Sequence, residues 1–199
     1  MSPRAFALAL VLAVPAAIGL GPAALAPRPA EASVSVAVTL EQLVAGSAYV
    51  VVGTAVEQQG RWEELGGGRR IVTYTRLAVD QAVAGEPGKE VWVRTLGGVV
   101  DKVGQHVSGE AQLALGSESL LFLKRVEDGA VVVSGMAQGH YPILKKPAEP
   151  VRLAASPDVG AILPRPGPSI SARERLVGAS LGDAIQAIQR VRQAGNGKR

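Results

Sequence analysis

The middle of the chain alternates between apolar runs and glycine-containing turns. Residues 48–56 (AYVVVGTAV) form an aliphatic, β-branched run, which predicts a strand covered on both faces, and Gly53 inside it indicates a bulge or a sharp coil. Residues 71–83 alternate with period two, which predicts a second strand with its odd-numbered side chains facing inward. Shorter strands are predicted at 90–96, 120–123 and 131–134.

These strands predict a mainly β fold. Five or six short antiparallel strands with glycines inside them favour a small OB-like antiparallel β-barrel, and an open sandwich is the competing architecture. The connection over 58–70 contains three consecutive glycines and predicts a long, flexible hairpin tip. Because 47% of the residues are hydrophobic but only 4% are aromatic, the core must be filled by Val, Leu and Ala.

Two helices are predicted, one at each end of the strand region. Thr39 and Gln42 have the spacing of a capping box, and Gly46 ends the short helix, which we expect to cover one end of the sheet. Residues 180–194 carry an apolar stripe after a cap at Ser180, which predicts an amphipathic helix. This helix either docks on the barrel or contacts a partner, and residues 195–199 are expected to fray.

The prolines divide the chain into segments. Of the 13 prolines, five precede residue 33 and seven lie between 142 and 168, whereas 16 of the 24 glycines lie between 46 and 139. Proline is kept out of central strands, and glycine serves turns and bulges. We therefore predict a leader over 1–32, a β-barrel domain over 33–141 and a proline-rich linker over 142–179 that is extended or mobile.

The first 32 residues have the features of a signal peptide. Arg4 precedes an uncharged apolar run from residue 5 to residue 20, which is short for a membrane span. Cleavage after Ala32 would follow an A-x-A motif and make Ser33 the first residue of the mature chain, and an uncleaved anchor is the alternative. The prediction is a periplasmic or secreted protein with no stable membrane insertion after cleavage.

Charge and cysteine content exclude several classes of function. The formal net charge is +4, but no run of Lys or Arg exceeds two residues and the aromatics are too few to interleave with them, so nucleic-acid binding is not predicted. The absence of cysteine excludes disulfide scaffolds, thiolate metal sites, cysteine nucleophiles and an N-terminal lipid-modified cysteine.

No catalytic, metal or cofactor residues are predicted. His106 and His140 are not spaced like helical metal ligands, and the nearby Asp101 and Glu110 fall in predicted loops, so both histidines are interpreted as structural or surface residues. The serines lack a G-x-S-x-G setting. The glycines at 66–68 precede a strand, whereas a phosphate-binding loop needs a helix there.

One place in the chain combines an aromatic residue with cations on a predicted exposed loop. Arg61 and Trp62 enter the hairpin tip, and Arg69 and Arg70 leave it. Tryptophan and arginine are enriched at interface hot spots, so these four residues form the predicted partner-binding site. The alternative is a solvated tip with Trp62 packed back on the barrel.

The order of these segments resembles a bacterial exported protein family of unknown function. It is more remotely similar to netrin-like domains, the OB-type barrels of tissue inhibitors of metalloproteinases. The resemblance covers roughly residues 39–125 through the stretches TLEQLVAGS, AYVVVGTAV, IVTYTRLAVDQAVAG, EVWVRTLGG and LGSESLLFLK. It implies the fold only, because those inhibitors chelate the protease zinc through an N-terminal cysteine, where this chain would have Ser33.

These observations predict an exported, non-catalytic β-barrel domain that binds another envelope or secreted protein. The alternative that the resemblance suggests is an inhibitor or accessory factor of an exported metalloprotease. A hydrolase is disfavoured because no nucleophile and base, and no ligand cluster, are visible in the sequence.

Overall fold

The computed structural model describes residues 34–197. The predicted signal peptide and its cleavage point between Ala32 and Ser33 lie outside the described residues. The strands are β1 (Val34–Val36), β2 (Tyr49–Leu65), β3 (Gly68–Ala84), β4 (Glu90–Leu96), β5 (Gly98–Val100), β6 (Val103–Gln105), β7 (Glu118–Arg125), β8 (Val131–Val133), β9 (His140–Leu144), β10 (Arg152–Leu153) and β11 (Ala161–Leu163). The helices are α1 (Leu40–Ala45), α2 (Ala172–Leu176) and α3 (Leu181–Asn196), with a 3-10 helix at Met136–Gly139.

The structure is mainly β, as predicted, and is built around one seven-stranded sheet. Its strand order is β10-β9-β7-β2-β3-β4-β8. The end strand β8 pairs in parallel with β4 and antiparallel with β7, so the pairings β2–β3–β4–β8–β7–β2 form a closed ring of five strands. The first half of β7 pairs instead with β9, which adds β9 and β10 outside that ring.

Two clusters of buried side chains hold the fold together. All five ring strands contribute to one cluster, called the aliphatic cluster because its buried members are all aliphatic, and it includes Val51, Leu77, Val93, Leu121 and Val133. The opposite faces of β2, β3 and β7 contribute to the second, in which the helices and β10 cover residues such as Phe122. Alternate side chains of β2 and β7 therefore enter different clusters, as the apolar run at 48–56 predicted for a strand covered on both faces.

A bulge lies at Gly53, but its extra residue, Asp80, is on β3 and not on β2, where it was predicted. The register between β2 and β3 shifts between Val52 and Gly53, and a Cβ placed on Gly53 would lie 2.7 Å from the carbonyl oxygen of Ala78. Because a one-residue bulge exchanges the two faces of a strand, Val83 joins the helix-covered cluster instead of the aliphatic cluster that contains Leu77. The odd-numbered side chains of 71–83 therefore do not all face the same side.

Both predicted helices form, and both have the predicted caps. Thr39 accepts from the Gln42 main chain, and the Gln42 side chain accepts in return from the Thr39 N–H. Ser180 caps α3, which packs on α1 through buried Ala184 and Ile188. The C-terminal helix therefore docks, and it extends to Asn196 where fraying was expected from 195.

The segment over 142–179 differs from the extended linker that its prolines predict. It contains β10, β11 and α2, and it contributes Leu153 and Leu176 to the helix-covered cluster. The main-chain N–H of Leu153 donates to Ala179, and that of Ala172 donates to Val38, at 3.0 and 2.8 Å. These three elements form because none of them contains a proline. The prolines from Pro147 to Pro168 lie in the connections, where a missing main-chain N–H removes no ladder hydrogen bond.

No helix within residues 34–197 is both long enough and apolar enough to cross a membrane.

Candidate functional site

The predicted hairpin tip is a regular two-stranded ladder. The β2–β3 pairing continues to Leu65 and Gly68, and Gly66 and Gly67 close it with φ values of +61° and +78°. This is the two-residue glycine turn that matches the twist of a β-hairpin. Among the described residues β7 pairs with β2 only as far as Thr54, and β4 pairs with β3 only as far as Val72, opposite Arg61. Beyond Arg61 the tip is therefore a two-stranded ribbon and not the long flexible loop that its glycines predicted.

The ribbon separates the four predicted partner-binding residues into two pairs. Residues directly opposite each other in an antiparallel pair lie on the same face. Glu63 is paired with Arg70, so Arg61 and Arg70 share one face, while Trp62 and Arg69 share the other. The four residues therefore do not form one cluster.

Trp62 and Arg69 stack on each other. The guanidinium carbon of Arg69 lies 4.8 Å from the centroid of the Trp62 ring, which is the geometry of a cation–π contact. Trp62 is half-buried and Arg69 is exposed. This face of the ribbon presents an aromatic surface with a cation on it.

The other face of the ribbon carries an ion-pair network around Glu63. Arg61 Nε lies 2.9 Å from Glu63 Oε1, to which the Tyr74 hydroxyl also donates at 3.0 Å. Arg94 from β4 contacts both Glu63 and Asp128, at 3.3 and 2.6 Å. Glu63 thus forms ion pairs with Arg61 and Arg94. This face therefore carries less unpaired positive charge than the sequence predicts.

A cavity of about 490 Å³ lies beside the base of the same hairpin. Its walls come from the middle of β2 and β3, from the end of β4, from the β5–β6 hairpin and from the coil at 106–114. Gly60 allows β5 to approach β2, because a Cβ there would overlap the carbonyl oxygen of Val99. The polar side chains in the walls are Gln58, Thr73, Thr95, Gln105, His106, Glu110 and Gln112.

Glu110 is the buried acid of this cavity. Its exposed fraction is 7%, and no cation lies within ion-pair distance of it in the described part of the chain. Burial raises the pKa of Glu110 to about 7, against the opposing effects of the Leu96 main chain and the Lys124 charge. The carboxyl group is therefore close to half-protonated at neutral pH.

His140 lies in a second buried polar arrangement. Its two ring nitrogens contact the hydroxyl oxygens of Ser119 and Ser156, each at 3.1 Å, and Ser156 donates to Asp158 at 3.3 Å. Burial lowers the pKa of His140 to about 4, so the imidazole is neutral at physiological pH. Because Ser119, His140 and Ser156 are all at most 5% exposed, this hydrogen-bonded chain is a buried link between β7, β9 and the C-terminal segment.

Glu110 is not among the functional residues that the sequence predicts, because it falls in a predicted loop. The loop is real, since residues 106–117 contain no helix or strand, but the two apolar positions that follow, Ala111 and Leu113, are buried in the aliphatic cluster. An acid next to an apolar AQLAL stretch was the available signal. Only the tertiary structure shows that Glu110 lines the same cavity as Thr73 and Thr95.

Within residues 34–197 no group of three or more His, Cys, Asp or Glu side chains is placed to hold a metal ion. The described residues also contain no second acid or base within hydrogen-bond distance of Glu110. The cavity therefore offers one ionisable buried group in a largely aliphatic and amide-lined wall.

No protein-family model, no curated protein and no solved structure matches this chain.

Proposed function

We propose that the chain is an exported, non-catalytic domain of the OB type that binds another envelope or secreted protein. The closed ring of five strand pairings supports the OB-like, netrin-like barrel, because the OB fold is a small five-stranded barrel; four of the pairings are antiparallel as predicted, and the β4–β8 pairing is parallel. Export rests on the apolar leader and the A-x-A motif that ends at Ala32.

The stacked pair of Trp62 and Arg69 is the observation that carries protein binding. A half-buried tryptophan under an exposed arginine supplies a large contact area at low conformational cost, which is typical of interface hot spots. The ribbon holds both residues on a two-stranded ladder, so little order has to be gained when a partner binds. The partner surface would cover the Trp62 face of the hairpin.

This interface is tested with the mature protein as bait in crosslinked fractions of its native envelope. A Trp62→Ala variant should recover the partner at least tenfold less than the wild type, since hot-spot truncations cost about 2 kcal/mol or more. Trp92→Ala is the matched control, because Trp92 is also partly exposed but lies on β4 away from the tip. Equal recovery by the wild type and Trp62→Ala would refute this binding surface.

An inhibitor or accessory factor of an exported metalloprotease is the second candidate. It is favoured by β1, which begins one residue after the predicted cleavage point and pairs in parallel with β11. Ala37 also donates its N–H to Leu163 at 2.9 Å, so the chain that follows Ser33 is held against the fold. After cleavage, the α-amine of Ser33 would be one residue away from an anchored strand.

The second candidate is tested by adding the mature protein to a panel of exported metalloproteases. Inhibition at stoichiometric amounts that is lost when one residue is added before Ser33 would support it. Full protease activity at micromolar excess would exclude inhibition.

A further inference from the structure

The cavity beside the hairpin is large enough for a small molecule. Its volume of about 490 Å³ falls within the range of roughly 300–1,000 Å³ that is usual for ligand sites. Leu96, Val99, Val107 and Leu113 supply apolar wall surface. A ligand with a short apolar body would therefore find complementary surface here.

Several polar side chains of the wall already have partners within the protein. The Gln58 amide donates to the Leu113 carbonyl at 2.5 Å, and the Thr73 hydroxyl donates to the Gly97 carbonyl at 2.8 Å. Gln105 Oε1 accepts from a main-chain N–H of β3 at 2.7 Å. These groups build the wall, so they leave Glu110 as the buried ionisable group that lacks a charged partner.

The charges around the cavity favour a cationic ligand over an anionic one. Neither Lys nor Arg is among the described residues that line the cavity, so an anion would find no counter-charge. The charged and titratable groups around Glu110 are His106, which is exposed in the cavity wall, and Lys124, whose side chain is exposed near the end of the buried strand β7. A cation with N–H donors would hydrogen-bond to the buried carboxylate and neutralise its charge. An unpaired charge in a buried position would otherwise cost free energy.

We propose that this cavity binds a small organic cation, an ammonium or guanidinium group on an apolar body, with Glu110 as its counter-ion. The cation donates hydrogen bonds to the carboxylate, and its apolar body packs on Val99 and Val107. The cavity lies on the same face of the hairpin as Trp62, because Gln58 and Thr73 in its wall share that face, but neither Trp62 nor Arg69 lines it. Cation binding therefore needs no partner protein on Trp62.

Binding of the cation would be coupled to loss of the proton from the Glu110 carboxyl group. The cation requires the ionised carboxylate, and the pKa of free Glu110 is raised to about 7. Affinity should therefore rise about tenfold per pH unit below that value, become about 100-fold stronger between pH 5 and pH 8, and level off above pH 7. His106→Gln should preserve this dependence, because His106 is not the group that pairs with the cation.

The test uses calorimetry of the mature protein with phenethylamine and benzylguanidine, each against the neutral isostere 2-phenylethanol. We expect binding of at least one cation, at least tenfold tighter than the alcohol at pH 8. Glu110→Gln should weaken it at least tenfold and abolish the pH dependence, while Glu86→Gln in an exposed loop should leave both unchanged.

Three outcomes would overturn the proposal. They are equal binding of 2-phenylethanol, no binding of either cation at millimolar concentration, and undiminished cation binding by a folded Glu110→Gln variant. The comparison of each cation with 2-phenylethanol on the wild type keeps the test decisive if Glu110→Gln does not fold. Loss of partner capture by Trp62→Ala has no bearing on this result, so the two proposals fail independently.

Discussion

Glu110 and His140 are buried titratable side chains whose pKa values move in opposite directions. The pKa of Glu110 rises to about 7 and that of His140 falls to about 4, in both cases mainly because burial disfavours the charged form. The unfolded chain has ordinary values for both groups. Each group therefore makes the free energy of unfolding depend on pH, with opposite signs.

For Glu110 the folded pKa lies above the unfolded one. The folded state keeps its proton longer, so this group lowers stability as pH rises from about 4.5 to 7, by up to about 3 kcal/mol. Glu110→Gln removes this loss. Chemical denaturation should show the stability of the wild type falling relative to the variant over that interval and then remaining constant, and a pH-independent difference would contradict the assignment.

For His140 the folded pKa lies below the unfolded one. The stability that the neutral imidazole contributes is fully present above about pH 6.5 and is lost as pH falls toward 4, by roughly 3 kcal/mol. Relative to His140→Gln, the wild type should lose stability as the solution is acidified through this range. Direct observation of the His140 ring protons should place its titration near pH 4, and a midpoint near 6.5 would show that the ring is accessible to water.

The two effects overlap between about pH 4.5 and 6.5, where their slopes oppose each other. The wild type should therefore show little pH dependence from this pair in that interval, although each variant shows a clear one. Only the single substitutions reveal the contribution of either group.

At the scale of elements, the β2–β3 hairpin is shaped by its bulges. The register shifts three times between the two strands, and the shift at Gly53 lets the Ala78 carbonyl approach the β2 backbone. A side chain there meets main-chain atoms, which cannot rotate away. Glycine is required at this position by close packing rather than by a left-handed conformation.

Gly53→Ala should therefore destabilise the fold by about 1–3 kcal/mol, as overpacking against a fixed backbone does. Gly68→Ala is the matched control in β3, because a Cβ there has no atom within 4 Å. Its free energy of unfolding should change by less than about 0.5 kcal/mol. Equal effects of the two substitutions in thermal unfolding would mean that the Ala78 contact is not limiting.

Helix α2 shows why a short element escapes sequence analysis. It has only five residues, too few for an apolar period to be visible, yet Ser171 and Glu174 form a capping box as complete as that of Thr39 and Gln42. The cap signal was present in the sequence, but it lay within a segment whose prolines indicated a linker. The prolines lie in the connections that precede α2, so they do not exclude a helix at Ala172–Leu176.

At the scale of the whole molecule, the C-terminal third completes the core. Phe122 and Tyr141 meet edge to face, with ring centroids 6.0 Å apart, in a cluster that also takes side chains from β10 and all three helices. The described residues 34–197 belong to one compact unit. The strand domain and the predicted linker therefore share one hydrophobic cluster.

Leu176→Ala should accordingly destabilise the entire fold. Leu176 is fully buried, and truncation of such a leucine costs about 2–5 kcal/mol. Val177→Ala is the adjacent control, because Val177 is 40% exposed and should cost less than about 1 kcal/mol. A single unfolding transition with a lower midpoint is expected for Leu176→Ala, whereas an unchanged midpoint would mean that this segment is a linker after all.

The sequence by itself determined the local features of this protein: the β-rich middle, the caps at Thr39 and Ser180, and the bulge at Gly53. These depend on side-chain periodicity and on hydrogen bonds within a few residues, which neighbouring positions encode directly. It also determined the composition of an aliphatic core without disulfides.

Only the tertiary structure decided which distant segments meet. The pairing of Val34 with Ala161, the closure of the ring through β8, and the burial of Glu110 beside Thr73 and Thr95 all join residues far apart in the chain. Such contacts depend on register and on the phase set by each bulge, and a shift of one residue exchanges the faces of a strand. For that reason the four residues Arg61, Trp62, Arg69 and Arg70, which the sequence placed together, lie on two faces of one ribbon.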